Sequence, residues 1–341
     1  MPKKEQSLIE DYLQLQEKYE QIYGKQNTIV LMQVGAFHET YATNTRGFDL
    51  HKLSDVLTNV TVTKRNKNIQ EVSEKNPYLL GFPSVTLNKY LKLLIENDFT
   101  VIIVDQLLQE KNAEREITGI YSKGTYIDDI ANTDSNNIMS IFIEEIKQLG
   151  MQKRLLCVGL SVIDLTVGTS TVYEVYSNIT DEKYALDETI RFMNTYQPKE
   201  VVINTNNLVE NNIDKIINYL DLSKQQYYLN ISDISKLNKV SYQEEVLNSI
   251  FQIKSKLNCI EFLDLDKYIY ARMSYIALLN FSYEHSSIIV SNLKKPIIYE
   301  PIKYMHLGNN AMYQLNVLDD DPYNYSNRYN KGCNIKSVYD I

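Results

Sequence analysis

Apolar positions recur at helical spacing near the start of the chain. Leu8, Tyr12, Leu15 and Tyr19 share one face and charges fill the other, which predicts a helix over 4–23 with Gly24 as its stop. Thr28 to Val34 is a β-rich apolar run ended by Gly35. A second helix is predicted across Arg46–Leu57. Asn59 to Lys64 alternates valine and threonine and reads as a strand, and Arg65 to Asn76 is polar and turn-like. Leu87, Tyr90, Leu91 and Leu94 make the apolar stripe of a helix over 85–97, with Ser84 as its cap. Phe99–Val104 and Arg115–Tyr121 read as strands. This alternation of strands and helices predicts an α/β unit around a mixed sheet in the first 130 residues.

Residues 130–151 are polar, then weakly helical, and read as a boundary. Arg154 to Leu165 and Thr171 to Val175 predict a β-hairpin around Gly168 that opens a second α/β region. A helix near 183–196, a strand at Glu200–Ile203, a helix over Val209–Leu220 and a short edge strand at Tyr227–Asn230 continue it. From about 241 the period changes to ~3.6. Helices are predicted over 243–254 and 263–286, and a short extended piece and a helix within Tyr299–Leu318.

The 341 residues are enough for two or three domains. The net charge of −8 argues against nucleic-acid binding by bulk electrostatics, while leaving room for contact through one face. Cys157, Cys259 and Cys333 form no CxxC pair, so neither a zinc site nor a disulfide scaffold is predicted, and a reducing, intracellular compartment is the simplest home. The N-terminus lacks the apolar core of a signal peptide and no run approaches a membrane span.

The most informative string is VLMQVGAFHETY, from Val30. It places an aromatic, Phe37, and a carboxylate, Glu39, just past Gly35 at the end of an apolar run. Such a pair can probe a nucleic-acid base. The plain alternative is that Phe37 is core and Glu39 a solvated charge. If the two share one face of a strand, His38 points the other way and packs behind them. One His and one Glu do not make a metal site.

In order along the chain stand GAFHETY at 35–41, TVTKR at 61–65, LGFP at 80–83 followed by SVTLNKYLKLL, VDQ at 104–106, and REITGIYSKGTYID at 115–128. This series resembles the mismatch-recognition domain of the MutS family of DNA mismatch-repair proteins. RLLCVGLSVIDLTVGTSTVYEV resembles the opening hairpin of the family's connector domain, which has a ribonuclease-H-like fold. KYMHLGNNAMYQLNVL at 303–318 is similar to the approach to the helical core, with Gly308, Ala311 and Gln314 replacing the usual aspartate, threonine and asparagine. KSVYDI resembles the stretch leading to the lever helices. The variant form of these segments is most similar to the branch found in giant DNA viruses and octocoral mitochondria.

The resemblance implies an α/β and α+β multidomain chain. It has a mixed-sheet recognition domain over 1–130, a ribonuclease-H-like connector over 131–240 and the beginning of an α-helical core over 241–341. It implies that Phe37 stacks on a base at a mispair and that Glu39 hydrogen-bonds to that base. Lys64, Arg65 and Lys67 are expected at phosphates beside the groove. Lys123, at the family's usual proline, is either one more phosphate contact or simply exposed. Gly35, Gly81, Pro83 and Gly124 are expected to be architectural. The pattern GxxxxGK[ST] does not occur. The expectation is therefore the front half of such a protein (a fragment, a split gene or a truncated copy), non-enzymatic, with no metal and no cofactor of its own. ATP and Mg²⁺ belong to full-length members. The expected partner is mismatched double-stranded DNA, with a MutS partner or a separately encoded C-terminal half besides, and no membrane. The location would be host cytoplasm, in a viral factory, for a viral chain. Two other classes stay open. One is a protein-interaction module with weak or no DNA binding. The other is a nuclease using Asp164 on the first connector strand, although Asp181, Glu182, Asp187 and Glu188 have the spacing of a charged turn and helix start.

Overall fold

Thr28–Val34 is strand β1 in the computed structural model, and its surroundings explain why that run is apolar. The structure describes residues 8–107, 115–126, 135–147, 154–208, 212–222, 225–252, 257–285, 290 and 293–301. The chain divides into one unit over Met1–Ile298 and another over Tyr299–Ile341, of which residues 299–301 are described. The segments at 303–318 and 336–341 lie outside the described residues.

Strand β1 pairs antiparallel with β2 (Phe37–Ala42) and parallel with β5 (Thr100–Gln106). With β3 (Thr63–Lys64), β4 (Tyr78–Pro83) and β6 (Arg115–Tyr121) they form a six-stranded sheet ordered β3-β4-β2-β1-β5-β6. Helix α1 (Leu8–Tyr23) packs Ile9, Tyr12 and Leu13 in a cluster with Val30, Met32, Ile102 and Val104. Helices α2 (Leu50–Leu57) and α3 (Leu87–Glu96) bury Leu53, Leu57, Leu91 and Leu94 with Ile29, Leu31, Val101 and Ile103. Both faces of β1 and β5 are thus covered, so these strands read as continuous apolar runs.

Local chemistry explains three departures from the pattern. Helix α2 starts at Leu50 because Asp49 caps it, accepting from the N–H of His51 at 3.0 Å and of Lys52 at 3.4 Å. The predicted strand over 59–64 pairs only at Thr63 and Lys64. Val60 drops into the core, and its carbonyl accepts from Ser54 Oγ at 2.6 Å. Ser84 is no side-chain cap; it opens a 3-10 turn, Ser84–Thr86, ahead of α3.

The second sheet has the order β11-β10-β7-β8-β9-β12. Its strands are β7 (Asn137–Lys147), β8 (Arg154–Asp164), β9 (Thr169–Tyr176), β10 (Glu200–Asn206), β11 (Gln226–Leu229) and β12 (Ile297–Ile298). The hairpin of β8 and β9 and the edge strand β11 follow the pattern. The supposed boundary at 130–151 instead contains β7, a central strand. Asn137 through Ile143 are buried, with both faces covered, so the segment lacks the alternation by which a half-exposed strand is recognised. Besides α4 (Tyr184–Tyr196) and α5 (Asn212–Tyr219) there are helices α6 (Ile234–Leu237), α7 (Val240–Phe251), α8 (Cys259–Phe262) and α9 (Ile269–His285).

Helix α9 lies on β7 and β8. It starts later than its apolar pattern because Asp264, with φ of 59°, breaks the helix ahead of it. Leu263 and Leu265 are nevertheless buried. Glu174 Oε2 accepts from the N–H of Tyr270 at 2.6 Å and of Ala271 at 3.0 Å, satisfying the first donors of α9. The helix crosses so closely that a Cβ on Gly159 would sit 2.0 Å from the carbonyl oxygen of Tyr270. Among the described residues no helix is long and apolar enough to cross a membrane.

A buried polar seam joins the two sheets. Thr100 Oγ1 and Tyr228 Oη share a hydrogen bond at 3.1 Å, and Gln226 Nε2 donates to Tyr228 Oη at 2.6 Å. Ser122 Oγ donates to Glu200 Oε2 at 2.8 Å, and the backbone N–H groups of Lys123 and Gly124 also bond to that carboxyl. Burial pushes the Glu200 carboxyl up to about 7, and these donors hold it from rising further.

Two outcomes follow from this packing. Gly159→Ala should destabilise the chain by at least about 1–3 kcal/mol in urea unfolding, since backbone rather than a flexible side chain must move. Between about pH 4.5 and about 7 Glu200 holds a proton only in the folded state, so its contribution to stability falls as pH rises through that window and is constant above it. The urea-midpoint difference between wild type and Glu200→Gln should therefore shift against the wild type from pH 5 to pH 7.5.

Candidate nucleic-acid interface

The turn between β1 and β2 contains only Gly35 and Ala36, since Val34 pairs with Phe37. Gly35 has φ of 61° and Ala36 does not have a positive φ. Glycine at the first loop position suits the primed turns that fit the twist of a two-residue hairpin. The tip is braced from both sides. Gly35 N–H donates to Gln106 Oε1 at 3.2 Å, Gln33 Nε2 donates to the Gly35 carbonyl at 3.2 Å, and Gln106 N–H donates to Gln33 Oε1 at 3.0 Å. On the other side Ser84 N–H donates to the Ala36 carbonyl at 2.8 Å.

On this hairpin β2 alternates as a strand must. Phe37 is 47% exposed, Glu39 is half-buried and Tyr41 is buried, all on the α1 side of the sheet. The Tyr41 hydroxyl donates to Glu39 Oε2, and the Tyr41 ring packs edge-on against Tyr12 with centroids 5.2 Å apart. Burial, reinforced by the bond to the Glu39 carboxylate, raises the Tyr41 phenol well above its ordinary value, so it stays a donor. Glu39 is therefore aimed by a fixed partner and keeps lone pairs for a second donor. Gly81 lies opposite Glu39 in the β2–β4 register, and a Cβ there would come within 3.0 Å of Glu39 Cγ and of the His38 carbonyl. This glycine gives the glutamate room.

His38 faces the opposite way and is buried. Its Nε2 bonds to Asp105 Oδ1 at 3.0 Å with the carboxylate accepting, and Thr118 Oγ1 donates to Asp105 Oδ2 at 2.5 Å. Beside Phe37 and Glu39 opens a cleft of about 400 Å³, bounded by Thr61, Thr63, Gly81 and Pro83. It exists because the segment before Thr63 does not continue pairing along β4.

The basic residues are not gathered at Phe37. Phe37 pairs with Pro83 at one end of β4, whereas Lys64 pairs with Tyr78 at the other. Lys64 Nζ donates to the Gln70 carbonyl at 2.6 Å, and Arg65 and Lys67 are exposed beyond it. Lys123 pairs with Asp98 at 2.6 Å, next to the start of β5, while Phe37 lies toward the end of the adjoining β1. Gly124 sits against Glu200 and Ile138, where a Cβ would meet Ile138 Cγ1 at 2.8 Å. Asp164 accepts from Thr166 N–H at 2.9 Å and so closes the β8–β9 turn. Among the described residues no group of three or more His, Cys, Asp or Glu could hold a metal ion.

Sequence reasoning missed the braces. Tyr41 was within reach, since period two puts it on the face of Phe37 and Glu39. Gln106 and Asp105 were not, because their contacts depend on the parallel pairing of β1 with β5.

Residues 7–130 match the family described as MutS domain I. The chain is 34% identical to a putative DNA mismatch repair protein mutS homolog of Acanthamoeba polyphaga mimivirus, over 99% of this chain and 31% of that protein. It is 27% identical to the DNA mismatch repair protein MutS of Fusobacterium nucleatum subsp. nucleatum, over 73% of this chain and 24% of that protein. With the MutS of Caldanaerobacter subterraneus subsp. tengcongensis it shares 22% identity, over 92% of this chain and 32% of that protein. The chain thus spans less than a third of the length of these relatives.

Removing the donor that aims Glu39 tests the local geometry. Tyr41→Phe should lower unfolding stability by about 1 kcal/mol in urea titration while the fold persists by circular dichroism.

Proposed function

The chain belongs to the MutS family, with MutS domain I at residues 7–130, and from that premise we propose that it binds mismatched double-stranded DNA through the tip of the β1–β2 hairpin. The observation that carries this reading is the half-exposed ring of Phe37 on a braced turn, with Glu39 held on the same face by Tyr41. A mispaired step is poorly stacked and deformable, so inserting a ring there costs less than at a paired step. Phe37 stacks on one base of the mispair and Glu39 accepts a hydrogen bond from it. The carboxylate also discriminates. Near phosphates it is repelled unless a base donor meets it, which favours a site where a base edge is free to turn toward it.

Lys64, Arg65 and Lys67 contact phosphate at the far end of the cleft, and Gly81 and Pro83 shape its near wall. Lys123, paired with Asp98 on the surface away from the hairpin tip, is a separate candidate for phosphate contact. The first sheet is the mismatch-recognition domain. The second sheet is the ribonuclease-H-like connector, a reading supported by its strand directions: β7, β8 and β9 are successive antiparallel neighbours, and β10 and β11 run parallel beside β7. The role is one of binding, with no catalytic residue. With a net charge of −8 the chain lacks bulk attraction for DNA, so its affinity alone is weak and a MutS partner or further MutS segments strengthen it. The mimivirus relative supports a viral origin.

Fluorescence anisotropy with matched and mispaired duplexes of one length tests the reading. Wild type should prefer the mispair, and Phe37→Ala should lose about 1–3 kcal/mol of that binding, roughly 5- to 150-fold in Kd, with folding retained. Equal affinity of the wild type for both duplexes would defeat the proposal for this chain.

A further inference from the structure

Val85 is 94% exposed, more than any other large apolar side chain among the described residues. An isolated exposed valine needs no explanation. This one is not isolated, and its backbone is fixed. The preceding residue, Ser84, donates its N–H to the Ala36 carbonyl at 2.8 Å, which fastens the start of the 3-10 turn to the hairpin tip. Pro83, one residue earlier, pairs with Phe37. The turn is closed by Thr86 Oγ1, which donates to the Pro83 carbonyl at 2.7 Å, and by the Leu87 N–H, which bonds to the Ser84 carbonyl. Ala36, Phe37, Pro83 and Val85, all exposed, therefore stand on two chain segments bonded to each other at the hairpin tip, a ridge of backbone that carries four apolar residues.

The size and shape of this ridge select its occupant. A stable protein interface buries about 800 Å² on each partner, far more than four side chains at a turn present. An exposed two-residue hairpin tip with one adjoining turn instead fits a groove. The minor groove is about 6 Å wide, and apolar side chains are the ones that wedge it open and unstack its steps. Resting on the function proposed above, we propose that Val85 is a second apolar contact of the wedge. It seats against the sugar and base edge of the nucleotide next to the mispair. There it holds the groove open while Phe37 stacks. The rigid link from Ser84 to Ala36 keeps the two side chains in register, so they enter the groove together.

The test uses the full chain and the same matched and mispaired duplexes, with Val85→Ser, Val85→Ile and Phe37→Ala. Because Val85 packs against nothing, thermal midpoints of its variants should match wild type. Val85→Ser should weaken binding to the mispaired duplex by about three- to tenfold and leave matched duplex unchanged, while Val85→Ile should bind like wild type. Wild-type affinity of Val85→Ser for the mispair, alongside loss of preference in Phe37→Ala, would overturn the role of Val85 and leave the Phe37 reading standing. Equal weakening on both duplexes would also overturn it, marking Val85 as a general surface contact. If Phe37→Ala keeps the wild-type preference, the reading of the whole tip fails and this proposal with it.

Discussion

Parallel pairing of β1 with β5, from Thr28 with Thr100 to Met32 with Val104, is the constraint on which the first half of the molecule depends. It makes β1 an interior strand with helices on both faces. The same pairing carries Asp105 and Gln106 to the hairpin that leaves β1. Gln106 then takes the Gly35 N–H, and Asp105 takes the buried ring of His38. A turn of only two residues becomes a fixed mount, because its backbone groups are bonded to neighbouring segments of the chain.

Polar side chains, not apolar ones, do the aiming at this tip. Alternation puts Phe37 and His38 on opposite faces, and position at the hairpin end leaves Phe37 exposed while Tyr41, farther along the same face, is buried against α1. Neither settles where the Glu39 carboxylate points. That follows from the Tyr41 hydroxyl beside it and from the missing side chain at Gly81 opposite. The donor sits on a ring packed edge-on against Tyr12, so the orientation of the glutamate is fixed by the fold itself.

The seam between the sheets has a different character. Glu200 is fully buried, with Ser122 and two backbone N–H groups as donors, and Gly124 leaves space for it. A buried carboxyl so placed ties the loop after β6 to the first residue of β10. It makes the junction specific, and it makes the folded state sensitive to pH near neutrality.

Much of this was legible in the residues. Periodicity located α1, β1, the β8–β9 hairpin and α4, because each has a clear face or a clear stop. The order of GAFHETY, TVTKR, LGFP and VDQ pointed to the family that the relatives bear out. Strand β7 was not legible, since burial on both faces erases the alternation that marks a strand. The start of α9 was missed for the converse reason: Leu263 and Leu265 are buried without being helical. By itself the sequence determined which side chains can share a face, because backbone geometry imposes a period of about 2 or about 3.6 locally. Only the tertiary structure decided which distant residues meet: Gln106 at the Gly35 turn, Gly81 under Glu39, Ser84 against Ala36, Ser122 on Glu200. Those meetings depend on strand order and register, which are set by the packing of the whole sheet rather than by any one stretch of it.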